Sequence, residues 1–277
     1  MGRIISVTSG KGGVGKTMST INMALACAKA GSRVLIVDGD LGLSNVDVVM
    51  GLEPKATLKN VLDGQMNIGD VVSRTAYGID VISSGSGVSQ LANMTPLSRS
   101  FLVHELKRLP DNYDFVFLDT GAGIADSVLT LNSVSDLFVV VTTPEPHAIT
   151  DAYALIKLMA EEHDRYECAL IVNQVIHNDE GKKIAAKIAD VAKLYCGSVV
   201  HHAGSVVTDV SLVRTILARK VGAENAMTSL CGQGWGQAWC NISELLNSDK
   251  MAGRSDGLGA VWQAMSSPNG RRQNLDP

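Results

Sequence analysis

Ile4-Ile5-Ser6-Val7-Thr8-Ser9-Gly10-Lys11-Gly12-Gly13-Val14-Gly15-Lys16-Thr17 is the stretch on which the reading of this chain turns. An apolar run opens it, glycines punctuate it, and a helical pattern from Met18 to Ala30 follows, which predicts a strand, a loop and a helix in succession. Gly10, Gly12 and Gly15 satisfy G-x-G-x-x-G, the dinucleotide turn, while Gly10 to Thr17 satisfies G-x-x-x-x-G-K-[ST], the Walker A loop. Lys16 and Thr17 decide between the two, because a dinucleotide turn has no use for an ammonium and a hydroxyl directly after its last glycine. The backbone amides from Gly10 through Lys11, Gly12, Gly13, Val14 and Gly15 to the helix start at Met18 are placed to hold phosphate oxygens. Lys16 reaches the terminal phosphates and the Thr17 hydroxyl is a ligand for Mg²⁺. The segment reads as a nucleoside triphosphate site.

Working outward, Arg33-Val34-Leu35-Ile36-Val37 reads as a buried parallel strand ending in Asp38-Gly39-Asp40. Carboxylates at the carboxyl end of such a strand, beside a phosphate loop, are placed to address Mg²⁺ and water. Phe115-Val116-Phe117-Leu118 then runs into Asp119, the pattern of a Walker B strand whose carboxylate holds the metal. The small residues Thr120-Gly121-Ala122-Gly123 after it leave the backbone free to approach a γ-phosphate. Further strands are expected at Ile79–Ser83, Leu137–Thr142 and Cys168–Val172, with a helix over Pro96–Leu109 and another beginning near Thr150. Alternating strands and helices of this kind predict a doubly wound α/β fold, a mostly parallel sheet with helices on both faces. After the last of these strands, Asn173-Gln174-Val175-Ile176 lacks the lysine and aspartate of a guanine-reading N-K-x-D, which favours ATP over GTP.

Composition narrows the classes further. A chain of 277 residues that is 45% hydrophobic supports one sizeable domain. No run of about 18 apolar residues and no secretory leader is recognisable, so a cytoplasmic protein is expected. The five cysteines have no C-x-x-C pair, which speaks against a disulfide framework or a structural zinc site. His201 and His202 point to opposite faces of a strand and do not make a metal site. Net charge is −4 with a pI near 5.9, so no global basic field points to DNA.

The form K-G-G-V-G-K-T at Lys11–Thr17 resembles the deviant Walker A loop of the MinD/ParA family of P-loop ATPases. Several roles follow from the resemblance. The equivalent of Lys11 reaches into the partner's site of a dimer that sandwiches two ATP molecules. Asp40 matches the switch I aspartate that positions the attacking water, and Asp38 its neighbour near the metal. Asp119, Thr120, Ala122 and Gly123 match the switch II pattern D-[ST]-x-A-G. Asn173 reads the adenine edge, and Asp209 matches the aspartate of a P-x-D loop over the base, with Val207 where the proline is expected.

Leu41–Pro54, Thr57–Gly64, Ile79–Gly87 and Thr150–Lys157 resemble in particular the FlhG/FleN branch, the MinD-like ATPases that set flagellar number and placement. The resemblance implies a slow, dimerisation-dependent ATPase that uses ATP and Mg²⁺ as a switch at a cell pole, on the inner face of the cytoplasmic membrane. Its partner classes are an FlhF-like GTPase, the flagellar C-ring and transcription regulators. FlhG proteins often carry a glutamine-containing extension that activates the GTPase, and this sequence opens at the first strand, which counts against that stimulation. Division-site placement of the MinD type and DNA partitioning of the ParA type share the phosphate residues, and the acidic balance makes DNA the less favoured partner.

Toward the end, Gly222–Gly236 is rich in glycine, serine and small residues and departs from the family. Trp235, Trp239, Ile242, Leu245 and Leu246 fall at helical spacing, so the ATPase domain is expected to span 1–247. Residues 248–277 read as a linker and tail. Within it Leu258, Val261, Trp262 and Met265 form a narrow apolar stripe, and the stretch 257–266 is a candidate membrane-targeting segment.

Overall fold

The computed structural model describes residues 2–40, 45–85, 95–209 and 229–248. Eight strands form one sheet in the order β3-β4-β2-β5-β1-β6-β7-β8. They are β1 (Arg3–Ser9), β2 (Val34–Gly39), β3 (Ser73–Arg74), β4 (Ile79–Ile82), β5 (Phe115–Ala122), β6 (Leu137–Thr142), β7 (Glu167–Val175) and β8 (Val199–Val207). The two-residue β3 pairs antiparallel to β4, and every other pairing is parallel. The expected doubly wound sheet is therefore present. Its central strands are buried on both sides, as their apolar runs require: β2 and β6 are buried at every position and β1 at every position but Arg3.

The helices are α1 (Lys16–Lys29), α2 (Val46–Met50), α3 (Leu58–Leu62), α4 (Pro96–Leu106), α5 (Asp126–Ser133), α6 (Pro146–His163), α7 (Asn178–Cys196) and α8 (Leu230–Asn247). Apolar residues of α1, α2 and α8 pack on one face of the sheet. The opposite face is covered by α3, α4 and α5 over its β3 end and by α6 and α7 over its β8 end. Chain order reverses direction at β1, whose neighbours are β5 and β6. A crevice outside the carboxyl ends of the strands is expected at such a reversal, and the phosphate loop leaves β1 there.

One expectation is corrected. The helix placed near Thr150 begins at Pro146, because proline at the first helical position presets φ and lacks only an amide that would have no partner anyway. At the end of the glycine-rich stretch 222–236, Gly232, Gly234 and Gly236 are helical in α8. Close approach explains one of them, since a Cβ on Gly234 would lie 2.9 Å from the Ser205 carbonyl oxygen of β8. Serine at position 229 starts the helix by accepting from the Gly232 amide, and Trp239 packs edge-on to Phe115 with centroids 4.9 Å apart. Segments 86–87 and 222–228 and the apolar stripe of the tail lie outside the described residues.

Candidate functional site

The chain enters α1 through Gly15, whose left-handed φ of +87° turns the loop so that the first helical amides face the crevice. Lys16 and Thr20 lie one turn apart on the same side of α1, facing the sheet. Both reach Asp119 at the carboxyl end of β5. The Lys16 ammonium is 3.1 Å from Asp119 Oδ1, the Thr20 hydroxyl donates to the same oxygen at 2.9 Å, and the Thr17 hydroxyl donates to Oδ2 at 2.7 Å. Asp119 is completely buried and Lys16 nearly so. A buried charge is tolerated only when paired and hydrogen-bonded, and this one has three donors.

In-register pairing of β2 with β5 sets Asp38 directly beside Asp119. Asp38 is completely buried and accepts from the backbone amides of Asp40, Asn45 and Val46. Burial first, and the Asp119 carboxylate second, push its pKa up to about 7, against the pull of those amides. The sign of the pH dependence follows. A folded-state pKa raised above the unfolded 3.8 contributes stability that is fully present below pH 3.8 and is lost as pH rises through about 7. In magnesium-free buffer, the wild type is expected to lose urea resistance between pH 5.5 and 8 relative to Asp38→Asn. Parallel curves for the two proteins would refute this account of Asp38.

Lys11, the other loop lysine, is turned away from this cluster. Its ammonium pairs with Glu145, the residue before α6, and holds that carboxyl below the usual range. Lys11 remains 37% exposed, and an ion pair so open to water is easily exchanged for another partner.

Asp40 follows the end of β2. Its amide donates to Asp38 Oδ1 at 3.0 Å, and a Cβ on Gly121 would lie 3.9 Å from Asp40 Oδ1, so the carboxylate faces the turn after Asp119. That turn is tied to the phosphate loop, since the Gly123 amide donates to the Ser9 carbonyl at 2.8 Å.

At the end of β7, the Asn173 amide group donates to the Val14 carbonyl at 2.8 Å and lies where a Cβ on Gly15 would need to be, 2.2 Å away. Asn173 therefore clamps the loop. Asp209 lies beyond β8, with Oδ2 3.6 Å from the Cys231 sulfur of α8. His201 and His202 have separate partners, Glu167 and Ser205. A cavity of about 560 Å³ among Ile68, Arg74, Glu105, Leu109 and Tyr113 contains none of the phosphate-loop residues.

Four contributors escaped the sequence reading. Thr20 supports Asp119; one turn after Lys16 it reads simply as a helical residue, and only its i, i+4 spacing could have drawn attention. Glu145 is identified only by its contact with Lys11. Gln174 adopts a left-handed φ of +57°, which non-glycine residues rarely do, and its amide group reaches the Gly13 carbonyl at 3.4 Å. Trp235 of α8 donates to Ser19 Oγ at 3.0 Å, and Ser19 Oγ donates to the Gly15 carbonyl at 3.0 Å, so the last described helix is bonded to the start of α1.

The donor set fits a magnesium nucleotide. Loop amides and Lys16 provide for phosphate, the Thr17 hydroxyl and Asp119 provide oxygen ligands, and Asp38 stands beside them as a further carboxylate.

A P-loop nucleotide switch of the MinD/ParA type is the class that this sheet order and this cluster define, and the chain belongs to that family of ATPases. The AAA domain family (AAA_31) matches residues 2–172. More particularly, the chain is 36% identical over 214 residues to the antiactivator FleN of Pseudomonas aeruginosa, covering 77% of this chain and 76% of FleN. It is 32% identical to the flagellum site-determining protein YlxH of Helicobacter pylori, over 83% of this chain and 78% of that one. Among solved structures, the septum site-determining protein MinD of Pyrococcus horikoshii, complexed with Mg-ADP, superposes with a TM-score of 0.71 at 25% identity, covering 91% of this chain and 98% of that one.

Proposed function

We propose that this chain is an ATP-dependent dimerising switch that regulates the number or placement of flagella at a cell pole. The observation that carries the switch reading is the division of labour between the two loop lysines. Lys16 is buried on Asp119 in its own site, whereas Lys11 stands outside that cluster on an exchangeable surface pair. A lysine so placed is available to the phosphates of a second protomer. The flagellar assignment is supported by the names of the FleN and YlxH relatives.

Bound Mg²⁺, held by Thr17 and Asp119 with Asp38 beside them, would neutralise charge building on the phosphates. Lys16 and the loop amides bind and orient the triphosphate, Asn173 and Asp209 border the base, and Asp40 orients the attacking water. Because the site is completed only across a dimer, hydrolysis is slow and the nucleotide serves to set a state. The ATPase domain ends near Asn247, where α8 ends. The tail contacts the inner face of the membrane through 257–266, two copies in the dimer adding their weak affinities. Among the described residues no helix is long and apolar enough to cross a membrane.

Asp40→Ala is expected to bind ATP with unchanged affinity, to lose hydrolysis, and to accumulate as a dimer in sedimentation runs with ATP. Lys11→Ala is expected to remain monomeric. Equal monomer content for the two variants would sink the sandwich reading. Counting flagella and division septa in a deletion strain tests the biological role. A changed septum pattern with normal flagella would favour division-site placement.

A further inference from the structure

We propose that Ser84 is a positioning residue for Asp40, an inference that rests on Asp40 being the group that orients the attacking water. β2 and β4 pair in register up to Val37 and Ile82, and β2 stays laddered to β5 only as far as Gly39, which pairs with Thr120. Asp40 is the first residue past the end of β2, and its orientation matters, because a misplacement of about 1 Å at a reacting group can cost on the order of a hundredfold in rate. Side chains take over the work of the ladder. The Asp40 amide donates to Asp38 Oδ1 at 3.0 Å, and the Asp40 carbonyl accepts from the Ser84 hydroxyl at 3.2 Å. Peptide groups are planar, so fixing the amide on one side of a Cα and the carbonyl on the other fixes the direction of its Cβ. From that Cβ the carboxylate lies beside the turn that follows Asp119, with Oδ1 3.9 Å from where a Cβ on Gly121 would stand.

Ser84 is suited to this task because it is itself held. It is completely buried. The Ser83 carbonyl accepts the Leu58 amide of α3 at 2.8 Å, and Gly85, at a left-handed φ of +90°, sits so close to Thr57 that a Cβ there would lie 2.9 Å from Thr57 Oγ1. Thr57 is the capping residue of α3, in a reciprocal box with Asn60. The serine hydroxyl thus transfers the rigidity of a capped helix to an aspartate beyond the end of its strand. The neighbouring serine provides the contrast: Ser83 is equally buried, but its hydroxyl has no hydrogen-bond partner among the described residues.

The test compares ATP hydrolysis and nucleotide binding in the full chain for Ser84→Ala, Ser84→Thr, Ser83→Ala and Asp40→Ala. Ser84→Ala is expected to lower kcat about tenfold, consistent with a sub-ångström loss of alignment, with KM and nucleotide affinity within about twofold of wild type. Ser84→Thr, which keeps the hydroxyl, is expected to recover most of the rate, and Ser83→Ala to hydrolyse as wild type does. Wild-type kcat in Ser84→Ala, beside an inactive Asp40→Ala, would overturn the inference and leave the role of Asp40 standing. A KM that rises in step with the fall in kcat, or an equal loss in Ser83→Ala, would also overturn it, since a general loosening of the turn would then suffice. Normal hydrolysis by Asp40→Ala would instead refute the reading on which the inference rests.

Discussion

Lys16→Ala is expected to abolish ATP binding and also to destabilise the nucleotide-free protein by about 3–5 kcal/mol, the usual cost of removing one partner from a buried ion pair. The two effects share a cause. Asp119 is completely buried, its neighbours across the ladder are Asp38 and Val7, and Lys16 is the cation that offsets its charge at 3.1 Å. Thr17 and Thr20 hydroxyls remain in the variant, but dipoles of that size do not replace a full charge. Adding Asp119→Asn should return most of the lost stability while leaving binding absent, because the uncompensated charge is gone and the phosphate ligand is still missing. Urea denaturation and titration calorimetry of the single and double variants provide the check. Unchanged stability in Lys16→Ala would mean that the buried pair does not shape the empty site.

Gly10→Ala is the second large effect, and it acts on the fold. A Cβ at Gly10 would stand 2.3 Å from both the carbonyl carbon and oxygen of Asp151 and 2.7 Å from its Cβ. Two of these atoms are backbone in the second turn of α6, so no side chain can swing away and the helix itself must shift. A loss of about 3 kcal/mol or more is expected, at or beyond the upper end for overpacked sites. Gly12 is the internal control. Nothing lies within 4 Å of its would-be Cβ, and Gly12→Ala should stay within about 0.5 kcal/mol of wild type. Equal stability of the two variants, measured by denaturation, would refute the claim that α6 bears on the loop at Gly10.

These two glycines show where reading a sequence stops. Both belong to the loop pattern, and nothing local distinguishes the one that touches a helix about 140 residues away. The same applies to the lysines. Lys11 and Lys16 lie five positions apart in one glycine-rich run, and the motif alone assigns Lys16 to phosphate. Where Lys11 rests depended on Glu145, a residue whose type and surroundings carry no signal of their own. The start of α6 was misjudged because its apolar spacing becomes clear only past Thr150, although Pro146 was the better guide. No local pattern gives a reason for the glycines of α8, and close packing of Gly234 on β8 is what makes a small residue useful there.

By itself the sequence determined the chemistry and the architecture. A phosphate loop, three aspartates at the ends of apolar strands, and alternating strands and helices are local patterns, set by periodicity and by the conformational needs of glycine. The tertiary structure alone decided which groups meet. Parallel pairing of β2 with β5 put Asp38 beside Asp119, the approach of α1 put Lys16 and Thr20 on the same carboxylate, and the turn after β4 brought Ser84 to Asp40. Such contacts join residues tens to more than a hundred positions apart. They depend on strand register and helix placement, which the whole core settles together and no short stretch specifies.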